Sequence, residues 1–157
     1  MSKETGYTLI ELMVTIAIVA ILASIAIPNF FSYLPKHRLK NAALEIQSTI
    51  QKARMEAIKG NTAVVLTFDP GSDSYLVFLD NGAGANAGNG VQDAGERTLR
   101  SGQMDASIDM TATTFGGNTF NFDARGTAVT TGKITLKNNQ NQIKEVSVTL
   151  GGISRIL

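Results

Sequence analysis

Residues 6–27 form the most informative segment of this 157-residue chain and read GYTLIELMVTIAIVAILASIAI. Residues 12–27 contain no ionisable side chain and consist mostly of isoleucine, alanine, leucine and valine. As an α-helix they would extend about 24 Å, and the weakly polar flanks at 7–10 and 29–34 lengthen the segment to about the thickness of a membrane. The segment therefore predicts a membrane-spanning helix, with a buried core helix of a soluble domain as the alternative.

A cleaved secretory signal peptide is a second alternative, because Ala23, Ser24 and Ala26 supply small residues of the kind found at signal cleavage sites. The acid Glu11, at the head of the apolar run, contributes nothing to a signal peptide and is costly in lipid when unpaired. Glu11 therefore needs a cationic partner, or has to reach the headgroups at the membrane surface.

The composition excludes several classes of chemistry. The chain has 14 lysines and arginines against 13 acids, so a net charge of +1 gives no argument for nucleic acid. The absence of cysteine excludes a disulfide framework, a thiolate nucleophile and a cysteine-based zinc site. With one histidine, no phosphate-binding loop and no Gly-x-Ser-x-Gly motif, we predict neither an enzyme nor a bound cofactor.

Residues 6–18, GYTLIELMVTIAI, resemble the N-terminal signal of type IV pilins and of the pseudopilins of type II secretion. In that family a prepilin peptidase cuts after the glycine, on the cytoplasmic side. The resemblance implies that residues 1–6 are a leader peptide ending at Gly6, and that Tyr7 begins the mature chain and becomes N-methylated. The family usually has phenylalanine there, so Tyr7 departs from its pattern while remaining aromatic.

The same resemblance implies how the helix would assemble. Residues 7–34 would form the transmembrane and filament-core helix, in which Leu9 and Leu12 contact neighbouring subunits. Glu11 takes the place of the family's glutamate and would meet the α-amine of the adjoining subunit, which offsets the desolvation of both charges. Pro28 takes the place of a proline that loosens the helix, since it removes a backbone hydrogen bond.

Three basic residues follow the apolar run closely, namely Lys36, Arg38 and Lys40. By the positive-inside rule they would keep this end of the helix in the cytoplasm. The family resemblance implies the opposite orientation, with the C-terminal domain in the periplasm, and it rests on a more specific pattern.

Residues 35–60 predict the amphipathic half of the same helix, because apolar side chains recur at spacings of three and four. Gly60 and Asn61 mark its end. The predicted stripe consists of Leu39, Ala43, Ile46, Ile50, Ala53 and Ala57.

Residues 61–157 change to short β-type runs separated by turn residues, which predict a β-rich head domain. The first two runs flank Asp69-Pro70-Gly71-Ser72-Asp73 and predict a hairpin. The fold class is therefore α+β, with a long N-terminal helix packed on an antiparallel domain. The predicted strands are residues 62–68, 74–79, 97–100, 107–111, 119–122, 133–137, 143–150 and 153–157.

Within the pilin-like family, the head domain resembles the GspH/FimT group of minor subunits. The resemblance lies in four segments: residues 53–61 (ARMEAIKGN), residues 78–100, the stretch Phe122-Asp123-Ala124-Arg125-Gly126, and a terminal strand led by Gly152. It therefore extends over nearly the whole chain.

One segment of the head, residues 80–96, suggests a metal site without completing one. A calcium loop ending at Glu96 would place Asn89 and Asp93 at two ligand positions. Its first and third positions would be Ala85 and Ala87, which have no side-chain oxygen. We therefore expect no metal here, but a mobile loop rich in glycine, alanine and asparagine.

DNA binding is a second function to weigh, because DNA-binding relatives of the FimT type carry a Gly-Arg-x-Arg tail. The corresponding residues here are Gly152-Ile153-Ser154-Arg155, so Arg155 is the remaining candidate contact. One arginine adds little affinity for phosphate at physiological salt. Lys133, Lys137 and Lys144 would lie near Arg155 if the terminal strands pair.

The resemblance as a whole implies a structural minor subunit of a type II secretion pseudopilus or of a type IV pilus. Its partners would be the prepilin peptidase, other pilin-like subunits, an inner-membrane assembly platform, membrane lipid and secreted cargo. It would reside in the bacterial inner membrane and then in the filament. A DNA-binding subunit at a pilus tip and a major pilin are the alternatives.

Overall fold

The computed structural model describes residues 6–82 and 88–157. One helix, α1, is followed by eight strands, and the α+β class predicted from the sequence is confirmed. The chain divides into two compact units, Met1–Leu34 and Pro35–Leu157. The elements are α1 (Leu9–Gly60), β1 (Ala63–Asp69), β2 (Ser74–Asp80), β3 (Thr98–Gln103), β4 (Ile108–Thr113), β5 (Thr119–Phe122), β6 (Gly132–Asn138), β7 (Ile143–Val148) and β8 (Ser154–Ile156).

The helix α1 is continuous from Leu9 to Gly60 and includes both Pro28 and Pro35. Each proline lacks the amide proton that would bond to the preceding turn, so each costs the helix one backbone hydrogen bond. The helix nevertheless continues through Pro28 and Pro35.

The end of α1 is a Schellman-type cap. Asn61 adopts a left-handed conformation with φ of 46°. The amide of Thr62 donates to the carbonyl of Ala57 at 3.2 Å, and the amide of Asn61 donates to that of Ile58 at 3.4 Å. The predicted stop at Gly60 and Asn61 is confirmed, with asparagine as the left-handed residue.

The strands form two antiparallel four-stranded sheets. The first has the order β3-β2-β1-β5 and the second has the order β4-β6-β7-β8. In the first sheet β5 pairs with β1, although three strands separate them in sequence. The predicted hairpin is confirmed, since β1 and β2 pair along their whole length, from Ala63 with Asp80 to Asp69 with Ser74.

The hairpin turn also connects the two sheets. Asp69 accepts hydrogen bonds from the Ser72 hydroxyl at 2.7 Å and from the Gly71 amide at 2.9 Å, and these lower the pKa of Asp69. Asp73 has a φ of 52°, and its Oδ1 accepts from the amide of Met110 on β4 at 2.7 Å. One turn residue is therefore bonded to a strand of the second sheet.

One face of α1 contributes to the same hydrophobic core as both sheets. All six residues of the predicted stripe are buried, and Ala42 and Thr49 join them. The core side chains from the strands include Val64, Leu66, Phe68, Val77, Phe120, Phe122, Ile134, Leu136, Val146 and Val148.

Phenylalanines form the centre of this core. Phe68 of β1 stacks on Phe120 of β5 with ring centroids 6.1 Å apart, and Phe115 stacks on Phe120 at 4.7 Å. Phe122 meets Phe120 edge to face at 5.4 Å. Offset and edge-on pairs of this kind contribute beyond their buried area.

A glycine junction, formed by Gly126, Gly152 and Arg54, holds the end of the helix against two loops. Arg54 Nε donates to the carbonyl of Gly126 at 2.8 Å. Gly152 has a φ of 71°, and a Cβ atom there would lie 2.7 Å from the same carbonyl oxygen. A Cβ atom on Gly126, which has a φ of 75°, would lie 2.6 Å from Ile58 Cδ1. Close backbone approach and left-handed geometry both require glycine at these positions.

The substitution Gly152→Ala should therefore lower the free energy of unfolding by about 1–3 kcal/mol, the usual cost of a strained left-handed residue. The neighbouring Gly151→Ala is the matched control, because a Cβ atom there meets nothing within 4 Å. Denaturant unfolding of both full-length variants in detergent would measure the difference. Equal stability of the two variants would contradict this account of the junction.

Candidate assembly site

The N-terminus of α1 is closed by a capping box formed by Thr8 and Glu11. The backbone amide and the hydroxyl of Thr8 donate to Glu11 Oε2, at 2.8 Å and 2.9 Å. The amide of Glu11 donates in return to Thr8 Oγ1 at 3.3 Å. This reciprocal arrangement satisfies donors that a helix start otherwise leaves free. The carboxylate of Glu11 is therefore hydrogen-bonded within its own chain.

The two residues of the predicted cleavage site lie just before this cap. Tyr7 is 94% exposed, and a Cβ atom on Gly6 would meet nothing within 4 Å. Access to the Gly6–Tyr7 peptide bond is therefore open on the surface of this unit.

The apolar segment that follows has no partner among the described residues of its own unit. None of the described residues in Met1–Leu34 is buried, and large apolar side chains such as Leu9 and Ile18 are 78% and 52% exposed. Leu12 and Pro28, both predicted to contact neighbouring subunits, are exposed as well. In the described part of the chain, α1 is the one helix long and apolar enough to span a membrane.

Polar side chains inside the apolar segment bond to their own helix. Thr15, Ser24 and Ser32 donate to carbonyls three residues earlier at 2.7–2.8 Å, and Asn29 Nδ2 donates to the carbonyl of Ile25 at 3.1 Å. Such local bonds remove the need for water as a partner. These four polar residues therefore leave the segment suited to an apolar environment.

The loop between β2 and β3 is held by two buried carboxylates. The two oxygens of Asp80 accept the amides of Gly88 and Gly90, at 2.7 Å and 2.8 Å. The two oxygens of Glu96 accept hydrogen bonds from the amides of Gly82 and Asp93, at 2.9 Å and 3.0 Å. The bonds of Asp80 hold Gly88 and Gly90 at the end of β2, and those of Glu96 join the described parts of the loop, 81–82 and 88–97, to each other.

The candidate metal ligands are arranged differently from a calcium loop. Asn89 Nδ2 donates to Asp93 Oδ2 at 2.9 Å, while Glu96 faces the backbone amides. Ala85 and Ala87, the first and third positions of the tested calcium pattern, lie outside the described residues. Within residues 6–82 and 88–157, no group of three or more acidic or histidine side chains could hold a metal ion.

The structure separates the candidate DNA contacts into two groups. Arg155 of β8 pairs with Ser147 of β7, which pairs on its other side with Lys133, so Arg155 and Lys133 lie in one row across the second sheet. Lys133 Nζ donates to Glu145 Oε1 at 2.7 Å, which compensates its charge. Lys144 lies on the alternate face of β7, where it lines a groove next to α1.

Sequence reasoning assigned Glu11 a role and missed its partner Thr8. The signal was present as Thr8-Leu9-Ile10-Glu11, the Thr-x-x-Glu pattern of a capping box before an apolar run. It also missed Asp80 as a structural carboxylate, since the glycine amides that it binds lie eight and ten residues away in a loop without a regular pattern.

Two family models match the chain. The one described as type II transport protein GspH matches residues 42–152. The one described as the prokaryotic N-terminal methylation motif matches residues 1–27, which include the capping box and most of the apolar run.

Known proteins with related sequences include fimbrial proteins and a pilin-like protein. Fimbrial protein EcpB of Eikenella corrodens is 40% identical over 76 residues, which are 48% of this chain and 46% of that protein. A fimbrial protein of Pseudomonas aeruginosa is 36% identical over 75 residues, 48% of each chain. Pilin-like protein PilA1 of Thermus thermophilus is 29% identical over 124 residues, 77% of each chain. The first two matches thus span about half the length of those relatives.

Two solved structures share the fold. The type IV minor pilin FimU of Pseudomonas aeruginosa aligns with a TM-score of 0.59 at 19% identity, over 80% of this chain and 92% of its own. The minor pseudopilin EpsH of Vibrio cholerae aligns with a TM-score of 0.59 at 11% identity, over 76% of this chain and 96% of its own.

The family matches agree with the division of the molecule. The methylation motif falls on the unburied apolar segment, and the GspH match begins at Ala42, within the buried part of α1, and covers β1 to β7. Subunits of this kind are structural proteins and not enzymes. The chain belongs to the GspH family of minor pilin and pseudopilin subunits.

Proposed function

We propose that this chain is a minor subunit of a type II secretion pseudopilus or of a type IV pilus. A prepilin peptidase cuts it after Gly6, Tyr7 becomes N-methylated, and residues 7–34 enter the core of a helical filament. The observation that carries this proposal is the apolar segment of α1 at residues 9–34, in which no residue is buried. Its acid, Glu11, lies in the first turn, a few residues after the proposed cleavage site.

Exposure of the helix supports an anchoring and assembly role. An apolar segment of this length has no partner in its own unit, so it requires lipid or the helices of other subunits to cover it. Membrane lipid covers it before assembly, and neighbouring subunits cover it afterwards. In this proposal Leu9, Leu12 and Pro28 lie in the contact with those neighbours.

Glu11 sets the register between subunits in this proposal. While the subunit waits in the membrane, the capping box with Thr8 supplies the hydrogen bonds that Glu11 needs in an apolar medium. On assembly the α-amine at Tyr7 of the adjoining subunit replaces them. A buried polar pair specifies the position of one helix against the next, because any other register leaves charges unpaired.

The C-terminal domain, residues 61–157, lies in the periplasm in this proposal and meets other minor subunits, the assembly platform or secreted cargo. The leader, residues 1–6, stays on the cytoplasmic side with the peptidase. Residues 35–60 connect the membrane segment to the head in this proposal, since their apolar stripe is the part of α1 that is buried in the head.

A DNA-binding tip subunit is the second candidate function. The row formed by Arg155 and Lys133 favours it. The ion pair between Lys133 and Glu145 opposes it, because the acid offsets one of the few cations on that face. A major pilin is the remaining alternative, and it would need the subunit to be the most abundant component of the filament.

Deletion of the gene tests which machine uses the subunit. If a defined set of exoproteins disappears from the culture medium and accumulates in the periplasm, the subunit belongs to a secretion pseudopilus. If secretion is unchanged while surface pili or DNA uptake are lost, it belongs to a type IV pilus. A deletion strain with normal secretion and normal pili would contradict the proposal.

The substitution Gly6→Ala should leave an uncleaved precursor, because the added methyl group meets nothing within 4 Å among the described residues, so its effect falls on recognition by the peptidase. Intact-mass spectrometry of the membrane fraction would show the precursor mass. Gly116→Ala is a matched control at a glycine with equally open surroundings, and it should be processed normally. A mature Gly6→Ala chain that begins at Tyr7 would disprove the cleavage assignment.

The substitution Glu11→Gln removes the negative charge of residue 11 and keeps a side chain that can form the capping box, so the two roles are tested separately. Glutamine can keep the capping box, so membrane insertion should be unchanged. Filament incorporation should fall by at least about tenfold, because the neighbour's amine is left without its partner. The measurement is the ratio of subunit in sheared filaments to subunit in the membrane.

Thr15→Ala is the control for that experiment, since the Thr15 hydroxyl bonds only to the carbonyl of Leu12. It should assemble at the level of the unmodified chain. Unimpaired incorporation of the Glu11→Gln subunit would rule out the charge-pairing role.

A further inference from the structure

A basic groove lies at the start of the second unit, where α1 passes the ends of β7 and β8. Lys36 and Lys40 of α1 and Lys144 of β7 line it, and Leu39, Ile143 and Ile156 supply its apolar surface. Its volume is about 460 Å³, which lies within the range of sites for small ligands. The groove thus combines three ammonium groups with an apolar floor.

Two lysines of the basic groove, Lys36 and Lys40, form no ion pair within the described residues. Lys144 Nζ donates to a main-chain oxygen of Leu157 at 3.3 Å, so the unpaired charge of the groove rests on Lys36 and Lys40. Arg38 on the same stretch of helix behaves differently, since it pairs with Asp105 at 3.7 Å. The groove therefore carries uncompensated positive charge that an anion would neutralise.

The position of the groove along the chain indicates where that anion comes from. Leu34 ends the first unit, and Lys36 follows two residues later, which is about 3 Å of helix rise. A lysine side chain so close to the end of a membrane helix reaches the headgroup layer. A headgroup site at this position also explains why Lys36 and Lys40 follow the apolar segment. They lie on the side of the membrane where the positive-inside rule predicts few basic residues.

The ligand has to match both the charge and the apolar floor. A phosphodiester offers a single compact anion to several ammonium groups, and the glycerol and acyl portions of a phospholipid offer apolar surface to Leu39 and Ile143. Duplex DNA suits the groove less well, because it needs cations spread along an extended stripe of phosphates.

We propose that the basic groove binds the phosphodiester headgroup of an anionic phospholipid in the leaflet that borders the head domain. The contact holds the head of the unassembled subunit at the membrane surface, and it is released when the subunit leaves the bilayer for the filament. The inference rests on the membrane anchor in the proposed function.

The absence of cysteine allows a direct test with the full-length chain. A nitroxide on Gln140→Cys lies in the turn between β6 and β7, close in sequence to the groove residues Ile143 and Lys144. The labelled chain is placed in nanodiscs of phosphatidylcholine alone, or of phosphatidylcholine with phosphatidylglycerol. Power saturation then measures how far a water-soluble nickel chelate reaches the label.

Phosphatidylglycerol should lower the accessibility of the label at least about twofold, and high salt should reverse the change because it screens the attraction. The pair Lys40→Gln and Lys144→Gln should abolish the effect. The pair Lys52→Gln and Lys59→Gln removes the same charge from exposed lysines further along α1 and should leave it intact.

Equal accessibility in both kinds of nanodisc, or loss of the effect in the control pair, would overturn the headgroup site. Protection of the label by a DNA duplex in phosphatidylcholine nanodiscs, removed by Lys40→Gln and Lys144→Gln, would assign the groove to nucleic acid instead. Co-elution of the chain with the nanodiscs reports the anchor separately. A chain that co-elutes without any lipid effect contradicts the headgroup site alone, whereas one that fails to co-elute contradicts the anchor as well.

Discussion

The buried stripe of α1 is the contact on which the head domain depends. Ala43, Ala53 and Ala57 are at most 2% exposed, and they lie in the same buried core as strands of both sheets. Ile46 and Ile50 fill the space between them at 0% exposure. Because residues of the stripe belong to the same buried cluster as residues of both sheets, the helix and the two sheets share one core.

Much of this architecture follows from local patterns in the sequence. A helical stripe at spacings of three and four, a cap at Asn61 and eight β-type runs between turn residues predict the elements and their approximate bounds. Their assembly into two sheets could not be predicted this way. The pairing of β1 with β5 joins residues more than 50 positions apart, as Leu66 pairs with Phe120, and no local pattern carries that information.

The candidate site, too, could be predicted only in part from the sequence. The family resemblance predicts roles for Gly6, Tyr7 and Glu11. The Thr-x-x-Glu spacing signals the pairing of Glu11 with Thr8, and the geometry of the cap establishes it. Glu96 looks like a metal ligand in the sequence, because a metal site and a bond to backbone amides both require a carboxylate. Which one applies depends on whether backbone amides or an ion faces the oxygens, and the fold of the loop determines that.

The capping box at Thr8 and Glu11 has a consequence for the energetics of polymerisation. Because the carboxylate already has donors in the isolated subunit, joining a filament would exchange one set of hydrogen bonds for another rather than rescue a bare charge. Such an exchange is close to neutral in free energy. Glu11 would then act as a selector of geometry, and the driving force for growth would come from covering the apolar helix. A filament built in this way can grow or shrink in response to a modest change in the free energy of covering the apolar helix.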